Sequence, residues 1–173
     1  MSRDILFTSE NDLFSYRVAG ILIRDEKVLL QKPEDDDGYA LPGGHVSFGE
    51  TSSETLVREF KEEANADIEV DRLALVCEIF FPWGDRPCQQ VCLYYTVSLR
   101  DESQIPLEGT FPFLDGSGDQ RVKINFSWIP LSEITSLKIY PPDLKKYLRS
   151  LPEHIEYFVY RENESRVISR TSN

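Results

Sequence analysis

At 173 residues the chain has room for one domain with a substantial core and too little for two. Its 40% hydrophobic and 28% charged residues are ordinary for a globular domain in water. Its formal net charge of −11 argues against a surface for a nucleic-acid polymer, because such surfaces gain affinity from Lys and Arg on phosphate. The same acidity admits a small phosphorylated ligand, since a divalent cation can bridge carboxylate to phosphate. Cys77, Cys88 and Cys92 have no zinc-site spacing, and an odd, low count suggests free thiols in a reducing compartment, hence the cytoplasm. The segment 1–11 lacks a basic flank leading into an apolar run, and no apolar stretch is long enough for a membrane helix.

In chain order, Tyr16–Arg24 (YRVAGILIR) is rich in β-branched residues and predicts a strand. Asp25-Glu-Lys is a turn, and Val28–Lys32 returns as its partner. Pro33–Gly38 (PEDDDG) is a loop whose acids are read as solvated. Leu41-Pro-Gly-Gly is expected to break regular structure, and a helix is expected from Ser52 to Ala64. Ile68–Phe81 is strand-like with a bend near Asp71, and 82–87 turns the chain. Cys88–Leu99 alternates as a half-buried strand does. The stretch 100–120 carries no assignable pattern. Val122–Ile129 is a strand, Leu131–Leu137 a short helix, and Pro141-Pro142 opens a last helix to about Leu151. Ile155–Arg161 is a final strand, followed by a loose tail. Strands mixed with two or three helices suggest an α+β or a layered α/β domain, expected to span residues 1–173.

The helix after Gly49 carries the chemistry. Thr51-Ser-Ser-Glu54 fits a capping box. At about 100° per residue, Leu56, Val57, Phe60 and Ala64 share an apolar sector, while Glu54, Arg58 and Lys61 share a mixed one. Glu59, Glu62 and Glu63 are left in a sector of carboxylates alone. Like charges at i,i+4 cost roughly 0.2–0.5 kcal/mol, and the helix C-terminus favours cations instead. A bound Mg²⁺ or Mn²⁺ would reverse both penalties; without one, the sector is an acidic solvent face. Upstream, Gly43-Gly44 could let backbone approach a ligand closely. Glu50 lies eight residues before Arg58 and could anchor the loop to the helix by an ion pair.

The stretch Gly44-x5-Glu50-x7-Arg58-Glu59-Phe60-x-Glu62-Glu63-x-Asn65-Ala66 resembles the Nudix box, the signature of the Nudix hydrolases. The hairpin 18–32, the approach Tyr39-Ala-Leu-Pro-Gly-Gly and the segment Phe126-Ser-Trp128-Ile-Pro-Leu131 are similar to that family too. The one departure is Asn65 where the family has glycine; Asn is the next best residue for a left-handed helix stop. The resemblance implies an α/β/α sandwich around a mixed sheet, and metal-dependent hydrolysis of a diphosphate linkage in a nucleotide-like substrate. By position it implies Glu59, Glu62, Glu63 and the Gly43 carbonyl as ligands for Mg²⁺ or Mn²⁺. Glu50 and Arg58 would brace the loop, completing the catalytic set with the three glutamates. Arg17 is the best-placed phosphate binder by resemblance, with Lys32, Arg86 and Arg121 as further cations. Tyr39, Phe48, Phe80, Phe81 and Trp83 could stack a base. Glu78, Glu108, Asp115 and Asp119 stand beside the box glutamates as candidate general bases. The partner is a small nucleotide-like molecule, met by one chain or by a homodimer. The alternative is a ligand-sensing Nudix domain without hydrolysis, against which stand the intact box and the lack of a basic DNA-binding segment.

Overall fold

A computed structural model of the chain describes residues 3–115 and 122–162. Among the described residues nine strands form one mixed sheet: β1 (Leu6–Thr8), β2 (Leu13–Arg24), β3 (Lys27–Pro33), β4 (Gly43–His45), β5 (Ile68–Trp83), β6 (Arg86–Leu99), β7 (Thr110–Asp115), β8 (Val122–Pro130) and β9 (Glu156–Arg161). Their order is β7-β8-β3-β2-β6-β5-β9, with β1 and β4 also paired to β2. The pairs β2–β6 and β5–β9 are parallel and the others antiparallel. The helices are α1 (Ser52–Ala64) and α2 (Leu144–Arg149).

The layering follows from the strand composition. Strand β2 is apolar on both sides, the pattern of a strand buried on both faces. Val18 and Leu22 share one core cluster with Leu56 and Phe60 of α1, whereas Ala19 and Ile21 share the other with Leu144, Tyr147 and Leu148 of α2. One helix thus covers each face, the α/β/α arrangement expected. Gly20 sets how closely α1 approaches: a Cβ there would sit 2.6 Å from the Phe60 ring. The β2–β3 hairpin turns on Asp25 and Glu26, both at positive φ (49° and 57°), as a two-residue primed turn requires. The bend expected near Asp71 is present as a register shift between Val70 and Arg72, and a second lies between Leu73 and Leu75.

Three expectations need correction. Gly43-Gly44 does not break structure but begins β4, because without Cβ atoms this backbone can pair closely with β2; a Cβ on Gly43 would lie 2.1 Å from the Val18 carbonyl oxygen. Leu131–Leu137 forms successive turns rather than a helix, closed by i→i+3 bonds from Glu133 to Pro130, Ser136 to Glu133 and Leu137 to Ile134. The last helix is shorter than expected, since its approach is also made of i→i+3 bonds and Pro152 disfavours helical geometry in the residue before it. The unassigned stretch holds a 3-10 turn (Glu102–Gln104) and β7, and β1 was not anticipated. The expected tail lies outside the described residues from 163 onward.

Gly20→Ala should destabilise the fold by about 1–3 kcal/mol, the range for overpacking a core. The loss should shrink in a Phe60→Leu background, which removes the ring that the new methyl group strikes. Urea unfolding of the two single variants and the double variant measures both effects.

Candidate active site

Helix α1 is fixed at both ends by its own sequence. Thr51 accepts from the Glu54 backbone N–H at 3.2 Å, and Glu54 accepts from the Thr51 N–H at 2.8 Å, completing the capping box. At the other end Asn65 takes the left-handed conformation (φ 48°, ψ 34°) and its N–H bonds the Phe60 carbonyl. The departure from glycine therefore leaves the helix stop intact.

Arg58 is the hub of the site. Its Nε meets Glu50 at 3.1 and 3.2 Å, its Nη1 meets Glu59 at 2.7 Å and Glu62 at 3.1 Å, and its Nη2 donates to Ser47 Oγ at 3.3 Å. Glu50 also accepts from the Thr55 hydroxyl at 2.8 Å. The ion pair expected between loop and helix is thus present, and it extends to two carboxylates of the acidic sector. Burial works against the Arg58 charge, but Glu59 and Glu50 together outweigh it and hold its pKa above the ordinary range.

Glu59 has a side chain 14% exposed. Burial pushes its carboxyl pKa up, with Glu62 adding repulsion, although Arg58 and Arg17 pull it down. Its seat is Gly44: a Cβ there would lie 2.3 Å from the Glu59 carboxyl carbon and 2.5 Å from each oxygen. Only glycine leaves room for that carboxylate against β4. Next to it, Arg17 donates to the Gly43 carbonyl at 3.1 Å. Glu63 lies round the helix from Glu62, only 7% exposed, and lines a cavity of about 230 Å³ with Asn65, Gln104, Phe111 and Phe126.

Two guanidinium groups therefore stand among the oxygens expected to receive a metal. Arg58 is inserted between Glu59 and Glu62, and Arg17 is on the Gly43 carbonyl. Among the described residues no three His, Cys, Asp or Glu side chains are gathered closely enough to hold an ion as they stand. The oxygen-only donor set and the Gly44 seat nonetheless suit a hard divalent cation.

The remaining expected residues fall in several places. Tyr39 is half-buried with Lys32 5.6 Å from its ring centre. The Phe48 ring is exposed and meets Phe7 edge-on at 6.2 Å, in an aromatic group that includes Phe14. Trp83 reaches His45 (6.3 Å) and Phe81 (6.0 Å), whereas Arg161 lies over Phe80 at 3.7 Å. Arg86 lines a groove at the β5–β6 tip with Phe7, Phe14 and Arg161. Glu78 accepts from the Tyr157 hydroxyl at 2.8 Å and from Gln89 at 3.4 Å, and Glu108 is an exposed loop residue. Asp119 and Arg121 lie outside the described residues, as does the side chain of Asp115. The expected free cysteines are all buried, and burial pushes the Cys88 and Cys92 thiols up to about 11. Sequence reasoning missed Ser47, Thr55 and Gly44's role as the seat of Glu59, because each acts through a contact made only on folding.

The family model of the NUDIX domain matches residues 15–151. The chain is a member of the Nudix hydrolase family. It is 43% identical over 65 residues to an ADP-ribose pyrophosphatase of Methanocaldococcus jannaschii, a match covering 31% of this chain and 38% of that protein. A MutT-like protein of Streptomyces ambofaciens is 39% identical over 62 residues, covering 35% of this chain and 40% of that one. The chain thus spans less than half the length of the curated relatives it matches. Among solved structures, the MutT protein of Bacillus halodurans superposes with a TM-score of 0.62 at 17% identity, over 87% of this chain and 92% of that one. This likeness shows that the Nudix fold is shared.

Arg58→Ala should destabilise this Nudix domain by about 1–3 kcal/mol, because it strands the half-buried Glu59 carboxylate. Lys61→Ala removes the same charge from the same helix but breaks only an exposed pair with Asp67, 3.0 Å, and should stay within about 0.5 kcal/mol. Urea unfolding of both variants checks the contrast.

Proposed function

We propose that this Nudix protein hydrolyses a diphosphate linkage in a nucleoside diphosphate derivative or nucleotide, by attack of water at phosphorus. The observation that carries the reading is the Glu59 carboxylate seated on Gly44 and gripped by Arg58, with Glu62 on the same guanidinium. A half-buried carboxylate whose pKa is pushed up by burial is costly for a fold to hold, and its setting suits cation binding more than stability. Glu59, Glu62, Glu63 and the Gly43 carbonyl would hold Mg²⁺ or Mn²⁺. When bound, such an ion neutralises the diphosphate and makes a coordinated water more acidic.

The remaining roles belong to side chains of this chain. Glu50 and Arg58 hold the loop and helix in register, so that the carboxylates keep their spacing. Arg17, released from the Gly43 carbonyl, binds a phosphate oxygen. Tyr39 and Phe48 are assigned to the part of the substrate beyond the diphosphate. Displacement at phosphorus asks mainly for positioning and charge stabilisation, which such a set supplies. Known relatives give the reading a range: an ADP-ribose pyrophosphatase is among them, and a UDP-X diphosphatase shares the fold with a TM-score of 0.54 at 17% identity over 88% of this chain and 68% of that one. The three reduced, buried thiols fit work in the cytoplasm.

The test is turnover in ¹⁸O-water with Mg²⁺, across nucleoside diphosphate sugars, ADP-ribose, dinucleoside polyphosphates and nucleoside triphosphates. Label in a phosphate-bearing product is expected. Label only in a sugar or alcohol product would show attack at carbon, and failure to turn over any of these would favour a sensing domain. Glu62→Gln should lower kcat at least about tenfold with the fold intact, as judged by circular dichroism and steady-state rates.

A further inference from the structure

Strand β9 closes the order of the sheet, and among the described residues it pairs only with β5, in parallel. Its other side offers backbone N–H and C=O groups to a further strand. Open edges are ordinarily blunted by lysine, proline or a bulge, because they recruit other chains. None of these occurs between Glu156 and Arg161. The run Tyr157–Tyr160 is uncharged and made of aromatic and β-branched residues, the types that suit strand pairing.

The side chains of β9 divide between two faces. Phe158 is buried and packs on Tyr147 of α2, with ring centres 5.2 Å apart. Tyr157 and Val159 alternate with it and point to the opposite face. The core cluster that α1 forms on that face includes no residue of β9. Tyr157 is therefore left 57% exposed and Val159 44% exposed, with Ile155 just before them at 60%. The Tyr157 hydroxyl is held by Glu78 of β5 at 2.8 Å, so its ring is ordered beside the open edge.

Charge and register select the occupant. Strand β9 is itself neutral, with Glu156 against Arg161, in a chain of net charge −11, so two copies meet little repulsion there. Two antiparallel copies are related by a two-fold axis normal to the sheet. Opposed residues must share a face, so the axis passes through a residue. Axes at Phe158 and Val159 keep the most of β9 in the ladder. An axis at Val159 sets Glu156 against Glu162 of the second copy, and like charges directly opposed destabilise. An axis at Phe158 opposes no like charges: Glu156 meets Tyr160 and Arg161 meets Ile155. It also sets each exposed Tyr157 against the exposed Val159 of the other copy, an aromatic–β-branched pair made twice.

We propose that β9 is the docking surface for a second copy of this chain, the two strands pairing antiparallel about Phe158 and joining the two sheets into one. This dimer is independent of the reaction proposed above.

Sedimentation velocity over a concentration series tests it. Wild type should pass from the mass of one chain to that of two. Val159→Lys places a charge on the edge of both copies and should raise the dimer Kd at least about tenfold, although it lowers the net negative charge. Val57→Lys makes the same change on α1, at a side chain 41% exposed, and should dimerise as wild type does. Circular dichroism checks the fold of each. The register is read from cysteines. Opposed Cα atoms lie about 4.5–5.5 Å apart, within disulfide range, whereas diagonal ones at about 7–8 Å are not. Mild oxidation of the Tyr157→Cys, Val159→Cys double variant should therefore give a covalent dimer, and Val159→Cys alone should not. Should Val159→Lys fail to fold, the cysteine variants decide. A monomer at every concentration, as an edge kept for a foreign strand would give, overturns the proposal. So does a dimer that Val159→Lys leaves unchanged, or a covalent dimer from Val159→Cys alone.

Discussion

The structure depends on one guanidinium. Arg58 ties the loop residues Glu50 and Ser47 to Glu59 and Glu62 of its own helix. Without it the helix would carry a sector of like charges at its C-terminal end, where the helix dipole already opposes them. With it, repulsion becomes a bracket that joins two elements. Glu50 is held twice, by Arg58 and by the Thr55 hydroxyl, so the loop after β4 has little freedom to leave the helix. The same bracket keeps a carboxylate buried where burial alone would favour its protonated form.

Close approach is the second constraint, and glycine sets it twice on neighbouring strands. Gly20 lets the Phe60 ring rest on β2, which brings α1 down onto the sheet. Gly44 then receives Glu59, the residue next to Phe60. Residues Phe60 and Glu59 are adjacent in sequence, so packing of the apolar ring and placement of the carboxylate are one event. Energy gained in the core positions the polar site, as sites on rigid elements require. The opposite face is organised separately, with α2 packed on it.

What was legible in the sequence follows the range of the forces involved. Helix α1 could be read to the residue because its signals are local: a capping box, a 3.6-residue apolar stripe and an asparagine stop. The hairpin Leu13–Pro33 was legible from β-branched runs about Asp25-Glu-Lys, though both strands extend past the runs that announce them and Lys27 already belongs to β3. The Glu50–Arg58 pair followed from spacing, since eight residues bring loop and helix into reach. Local signals failed where long-range pairing decides the outcome. Gly43-Gly44 reads as a breaker, yet β2 recruits it as a strand because it lacks side chains. Val57 belongs to the apolar sector by angle but is exposed in the fold. The engagement of Glu59 and Glu62 by a neighbouring arginine, rather than by solvent, required the fold, because the helix wheel places Arg58 in a different sector.

The central claim is that the carboxylates bracketed by Arg58 form a divalent-cation site. The most direct measurement is a Mn²⁺ titration followed by electron paramagnetic resonance, in which bound ion loses the six-line signal of free Mn²⁺. Wild-type protein should take up Mn²⁺ saturably, and Mg²⁺ should displace it. The Glu59→Gln, Glu62→Gln double variant, shown to be folded by circular dichroism, should lose that uptake. Equal uptake by the double variant, or none by wild type, would contradict the account.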